Sequence, residues 1–402
     1  MKKPEKPGVP KKIVWSTTLF YALVAFEFFY MFSPFAVYMY SVYNPGLQVL
    51  SRSDFTTRLV SFFMPHIIRE TSNFFITWHE TFGWVFFLAG LGAFVIGAIQ
   101  IYGSKLRRET TVKGGLYQKI RHPQYLALMI ASFGMLQIWP RYLVLFAFVT
   151  NCFAYIWLAR IEEGICRRSF PDYGEYEART GMFLPPKIEA LLPRLKLPQK
   201  AWKRRIIWSG CYVCALALSF LFANLIHGLS VASLYSYKLE NSAYLSLGRL
   251  EPSEIKSLAD ITLADEQVGI YLELDKNPET RYLNYVMPRD LFVSEVPMYI
   301  PPGQTYDHVS PGSVRPFGPC TIGMIIQRPS GRTRVDQQYY KVIFTMAGYG
   351  SRPVPQMNNI IRHAITIKPL VEVWVDRVNA QVISVLPPPE NRIYGDVPVP
   401  IF

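Results

Sequence analysis

Charged residues are scarce in this chain. They make up 18% of 402 residues, while 50% belong to the hydrophobic set and mean hydropathy is +0.14. That balance excludes an intrinsically disordered chain and argues against an ordinary soluble domain. Cysteine is equally sparse, with five residues at 152, 166, 211, 214 and 320. The count is odd, and Cys152, Cys211 and Cys214 fall inside apolar runs, so there is no disulfide framework. Cys211 and Cys214 have CxxC spacing, but their run, CYVCALALSFLFANLI, is one where thiols act as small apolar packers. Residues 231–402 hold only Cys320 and cannot form an internal disulfide. Glycine clusters occur as GLGAFVIG and MAGYG, neither in the strand–turn–helix setting of a dinucleotide fingerprint. His122 has no second histidine at metal-ligand spacing, so no metal site is expected. No repeat with a period of about 20 to 50 residues is visible.

What charge there is divides unevenly. Residues 1–230 carry 26 basic against 12 acidic side chains, and residues 231–402 carry 16 against 17. The basic excess alternates with long apolar runs, a pattern that fits a membrane protein with positive cytoplasmic loops and excludes a nucleic-acid partner. Runs long enough to cross about 30 Å of hydrocarbon are Ile13–Tyr38, Trp78–Ile101 and Ile206–Leu229. A tighter pair, Tyr125–Trp139 and Tyr142–Leu158, is split by Pro140-Arg141 and reads as a helical hairpin. The expected fold is thus an α-helical polytopic membrane domain with about five transmembrane segments, followed by a mainly-β (α+β) extramembrane domain. The boundary falls between residues 1–230 and 231–402.

The first apolar run follows MKKPEKPGVPKK and is read as a retained anchor, being too long and lacking a small-residue cleavage site. Placing Lys2, Lys3, Lys6, Lys11 and Lys12 inside also puts the Arg- and Lys-rich 160–205 loop inside and residues 231–402 outside. For a bacterial inner membrane that outer side is the periplasm. Ala89, Ala93 and Gly97 recur every four residues, a small-residue face for close helix approach. Glu27, His66 and His79 are read as interfacial or packing residues, and His308 and His363 receive no role.

In the second unit QVGIYLEL, CTIGMIIQ, YYKVIFTMAG, HAITI, VEVWVD and QVISVL read as strands between Pro, Gly and Asn breaks, and a short helix is expected after Glu251. The Pro-rich stretches 298–319 and 385–400 are expected as ordered loops or an extended tail.

The richest chemistry lies between Thr111 and Pro186, where TVKGGLYQKIRHPQYLALMI and ARIEEGICRRSFPDYGEYEARTGMFLPP flank the hairpin. Taken alone, His122 is an interfacial residue, and Glu162 and Glu163 pair with Arg167 on a solvated helix. Taken together, the pattern resembles the isoprenylcysteine carboxyl methyltransferase and phospholipid methyltransferase superfamily of integral membrane enzymes. The residues that carry the resemblance are Gly115, Tyr117, Arg121, His122, Pro123 and Tyr125, then Glu162 and Glu163, then Phe170, Tyr173 and Tyr176, and finally Phe183, Leu184 and Pro185. It covers residues 80–190. Leu116 stands where the family often has proline, and Ala127 where it often has glycine, both able to reshape cofactor or substrate contacts.

The resemblance implies methyl transfer from S-adenosylmethionine to an amphiphilic or small hydrophobic acceptor (carboxylate, amine or thiol). It implies cofactor contacts from Gly115, Tyr117, Arg121, His122, Pro123, Tyr125, Glu162, Glu163 and Tyr176. A carboxylate at 162 or 163 can accept from the ammonium or ribose, Arg121 and His122 can donate to the carboxylate, and a tyrosine can face the sulfonium. Glu163 or His122 can take a proton from an amine acceptor, and Arg167 with Arg168 can hold a substrate carboxylate or lipid phosphate. The partners expected are the bilayer and this substrate. A rival reading is a non-catalytic membrane subunit that binds a protein partner through residues 231–402.

Overall fold

The computed structural model describes residues 56, 59–68, 70–106, 114–191, 198–273, 280–293, 296–299, 338–348, 360–363 and 365–387. Ile13–Tyr38, CTIGMIIQ, His308, Cys320 and most of the Pro-rich stretches lie outside them.

Among the described residues four long helices build the first unit: α1 (Phe74–Leu106), α2 (Pro123–Ile138), α3 (Tyr142–Ser169) and α6 (Ala201–Ala232). Among the described residues three of these, α1, α3 and α6, are long and apolar enough to cross a membrane, while α2 is a shorter apolar helix. Asn73 starts α1 by accepting the amides of Phe75 (3.0 Å) and Ile76 (3.3 Å) on Oδ1. Pro123 opens α2, where its missing N–H is no loss. The expected hairpin is present, its turn at Trp139-Pro140-Arg141 held by the 61–63 segment, where Phe63 N–H donates to Pro140 O at 2.9 Å.

The small-residue face that meets α2 is shifted from expectation. Ala89 is exposed, and the glycines in contact are Gly83, Gly90 and Gly97, spaced by seven. A Cβ on Gly90 would lie 2.5 Å from Ala131 N and 2.6 Å from Ala127 O, so the two backbones meet almost directly. On α3 and α6, which run antiparallel, Tyr142 Oη donates to Asn224 Oδ1 (2.6 Å), and Thr150 and Tyr212 share a 2.9 Å hydroxyl bond. His66 stacks between Phe62 and Trp139, both at 4.8 Å, and buried His79 holds its Nδ1 2.6 Å from Ile76 O.

The described residues of the second unit form one six-stranded sheet in sequence order: β1 (Ser236–Lys238), β2 (Ser242–Ser246), β3 (Arg281–Pro288), β4 (Tyr339–Gly348), β5 (Ile365–Asp376) and β6 (Gln381–Leu386). Only β2 and β3 are parallel, in register Tyr244 with Asn284, and such a pair needs a crossover. It is supplied by α7 (Pro252–Leu263) and α8 (Glu266–Glu273). Thus QVGIYLEL is helical rather than extended: Asp265 Oδ1 caps α8 through the amides of Gln267 (2.9 Å) and Val268 (3.2 Å). Strands β1 to β3 were not foreseen, because Ser, Asn and Pro interrupt their alternation.

One sheet face packs on α7 and α8 through Tyr244, Val286, Val342, Phe344 and Val373. The other carries Leu245, Tyr285, Met287 and Ile343 and is covered by Phe292, Val296 and Met298, by Leu234 just after α6 and, from the first unit, by Ile67 and Ile68 before α1. A single core therefore joins the sheet to the ends of the helices. Lys341 sits fully buried on this face, its Nζ 3.4 Å from Met298 Sδ and 4.0 Å from the Phe292 ring centroid. Burial lowers its pKa to about 8, against the opposing pull of Glu372 and Asp290.

Candidate active site

The loop before α2 and the loop after α3 are stitched together by backbone. Gly181 N–H donates to Lys119 O (3.1 Å), Arg121 N–H to Gly181 O (2.8 Å) and His122 N–H to Met182 O (3.1 Å). Two short helices, α4 (Tyr173–Arg179) and α5 (Pro186–Glu189), frame this strap, and Glu189 accepts the Met182 amide at 2.5 Å. Arg121 and His122 are thereby aimed at Glu162 and Glu163 near the end of α3.

The guanidinium of Arg121 donates through Nε to Glu163 Oε1 at 2.6 Å and through Nη1 to the carbonyls of Glu177 (3.1 Å) and Thr180. Both partners are buried, with 7% and 3% of their side chains exposed. Arg167 clamps α4 by donating to both oxygens of Glu177 (2.5 and 2.8 Å), and its Nη2 lies 3.5 Å from Glu163 Oε2. That contact is the i, i+4 pair read from the sequence. The Arg167 guanidinium holds the Glu177 carboxyl below the usual range despite partial burial.

Glu162 differs from its neighbour: 45% of its side chain is exposed. It accepts Tyr125 Oη at 2.5 Å and lies 3.5 Å from His122 Nδ1. His122 Nε2 is 3.4 Å from Glu163 Oε1, but it is buried and not aligned for a hydrogen bond. Burial disfavours the imidazolium, yet the two nearby carboxylates of Glu162 and Glu163 outweigh it and raise the His122 pKa. The ring stacks on Tyr125 (5.6 Å), which stacks on Tyr155 (5.3 Å), while Phe183 closes the other side at 6.0 Å.

Tyr117 and Tyr176 meet across the strap, Tyr176 Oη donating to Tyr117 O at 2.8 Å, and burial raises the pKa of Tyr176 and Tyr173. Gly115 has φ +59°, a left-handed conformation that favours glycine, beside the Gln100 side chain of α1, whose Oε1 accepts the Leu116 amide (3.3 Å). A Cβ on Gly114 would meet nothing within 4 Å, leaving its backbone open. Pro123 is buried at the start of α2, and Ala127 faces Gly90.

The residues singled out in the sequence thus fall into two sets. Arg121, Glu163 and Arg167 satisfy one another and hold the loops, while Glu162 keeps 45% of its side chain exposed beside buried His122 and Tyr125, and Gly114 is exposed. Sequence reading passed over Gln100, Tyr155, Glu177 and Thr180, which act on partners at least ten positions away, and Glu189, which binds a backbone amide seven positions back; none leaves a local spacing to find. The chain matches no protein-family model, no curated protein and no solved structure.

Proposed function

We propose that the chain is an S-adenosylmethionine-dependent methyltransferase of the membrane, acting on an amphiphilic or small hydrophobic acceptor. The observation that carries this reading is the pairing of a half-exposed carboxylate, Glu162, with a buried His122 whose Nε2 lacks an aligned partner. That donor and acceptor set suits a ligand with an ammonium, a carboxylate and ribose hydroxyls: Glu162 would take the ammonium or ribose and His122 the carboxylate, with Tyr125 holding Glu162 through its hydroxyl. When bound, the cofactor supplies a methyl group on positively charged sulfur.

The protein's own part is placement and exclusion of water. Arg121, Glu163 and Arg167 fix the two loops so that Glu162 and His122 keep their spacing, and Phe183 with Met182 closes the site toward the helix core. A carboxylate or thiolate acceptor needs no base. An amine acceptor would lose its proton to Glu162, the carboxylate with open access. In this reading the polar loops lie on the cytoplasmic side of a bacterial inner membrane and residues 231–402 on the periplasmic side. Reporter fusion after Phe402 would be inactive in a cytoplasmic-only assay, and activity there would reverse the orientation.

The decisive test is calorimetric titration of the detergent-purified chain with S-adenosylhomocysteine. Loss of one charge-assisted hydrogen bond costs about 1.5 to 3 kcal/mol, so Glu162→Gln and His122→Ala each should weaken binding at least tenfold. Absence of binding in a folded wild-type sample would favour the rival reading, a structural subunit presenting residues 231–402 to a partner, which the mutual satisfaction of Arg121, Glu163 and Arg167 also fits.

A further inference from the structure

Lys200, Lys203, Arg204 and Arg205 crowd the first turns of α6, and Arg160 of α3 lies against them, its guanidinium 4.3 Å from the ring centroid of Trp208 and within electrostatic reach of Arg204. Arg121, Arg167 and Arg179 hold carboxylates. Among the described residues none of these five cations has a carboxylate within 4.0 Å, and α6 contains no acidic residue at all. All five are exposed. Arg160 and Arg204 repel one another across α3 and α6, and Glu163, the carboxylate that acts on Arg160, is already held by Arg121.

The patch stands at a defined depth. At the far end of the helix pair Tyr142 bonds to Asn224. From there to Arg160 along α3 and to Arg204 along α6 is about 27 to 30 Å at 1.5 Å per residue. That is the thickness of the hydrocarbon layer. Indoles mark the same level: Trp157 and Trp202 are exposed, Trp208 lies under Arg160, and Lys203 lies 5.5 Å from the Trp202 ring centroid. Below them α6 exposes Ile206, Val213, Leu218, Leu221, Phe222 and Leu225, an acyl-chain surface.

We propose that this face of α3 and α6 binds an anionic phospholipid, its phosphate held between Arg160 and Arg204 and its chains lying along the apolar side of α6. Two neighbouring guanidinium groups repel, and a phosphate between them turns that repulsion into two charge-assisted contacts. The tryptophans supply the amphipathic rim that suits the headgroup level. Lys200, Lys203 and Arg205 add attraction to the same charge. The inference does not rest on methyl transfer, although Arg160 lies one helical turn before Glu163 and within its electrostatic reach.

Native mass spectrometry of the full chain in detergent, titrated with phosphatidylglycerol or phosphatidylcholine of matched acyl chains, tests it. Each basic residue near an anionic surface is worth about 1 kcal/mol, or roughly fivefold, so Arg160→Gln with Arg204→Gln should weaken phosphatidylglycerol binding about 25-fold. Arg160→Lys with Arg204→Lys should retain most of it. Arg179→Gln with Lys187→Gln, elsewhere on the same membrane face, should change little. Unaltered melting of each variant checks folding. Equal affinity for the two lipids, no loss in the Gln pair, or displacement of phosphatidylglycerol by inorganic phosphate alone would overturn the proposal.

Discussion

Exchanging Glu163 for Gln and, separately, Glu162 for Gln distinguishes a residue that holds the site from one that faces a ligand. The Glu163 carboxylate is the only negative charge in hydrogen-bonding contact with buried Arg121 among the described residues, at 2.6 Å, and both groups are almost fully covered. Breaking a buried pair from one side strands the other charge and costs about 3 to 5 kcal/mol. Arg121 keeps its bonds to the carbonyls of Glu177 and Thr180. A value near the low end, about 3 kcal/mol, is therefore expected. At about 2 to 4 °C per kcal/mol this lowers the Tm by about 6 to 12 °C. Glu162→Gln keeps an oxygen that can accept from Tyr125 and changes a half-exposed charge, so its melting should move by less than about 1 kcal/mol. Melting of both variants in one detergent, followed by near-ultraviolet circular dichroism, reads the difference. Equal shifts, or a larger shift for Glu162→Gln, would refute the division into holding and facing residues.

The His122 pKa is raised in the folded chain, so its charged form contributes stability that is complete below about pH 6.5, the unfolded value, and is lost as pH rises through the folded value. The Tm gap between wild type and His122→Gln should be widest in acid and close toward alkaline pH; a gap independent of pH would remove the imidazolium–carboxylate account. Lys341 has the opposite sign: its folded pKa is depressed to about 8, so stability should rise between pH 8 and 10.5 as the buried ammonium is lost first from the folded state. Lys341→Met should then remove that rise, leaving stability flat between pH 8 and 10.5, and a variant that still rises there would contradict it. Gly90→Ala places a Cβ 2.5 Å from the α2 backbone and should cost several degrees of Tm, whereas Gly92→Ala, with nothing within 4 Å, should be neutral; equal effects would refute the α1–α2 contact.

The amino-acid sequence alone determined that the chain has helices long and apolar enough to cross a membrane, where the described ones run, and which two polar segments belong together. Apolar length and the hairpin's Pro140-Arg141 break are properties of contiguous residues, and so are the Pro123 helix start and the strands YYKVIFTMAG, VEVWVD and QVISVL, which structure bears out. Tertiary structure decided what depends on distant partners. QVGIYLEL has a strand's composition and is a helix because the parallel β2–β3 pair needs a crossover. Gly83, Gly90 and Gly97 displaced the alanine stripe because the contact repeats every seven residues along α1, a register set by α2. Most of all, Glu162 and Glu163 are adjacent and chemically identical in sequence, yet one is exposed beside His122 and the other buried on Arg121. Successive residues of a helix point about 100° apart, so the helix itself separates them, and only the strap from Gly181 and Met182 decides which of the two meets the arginine.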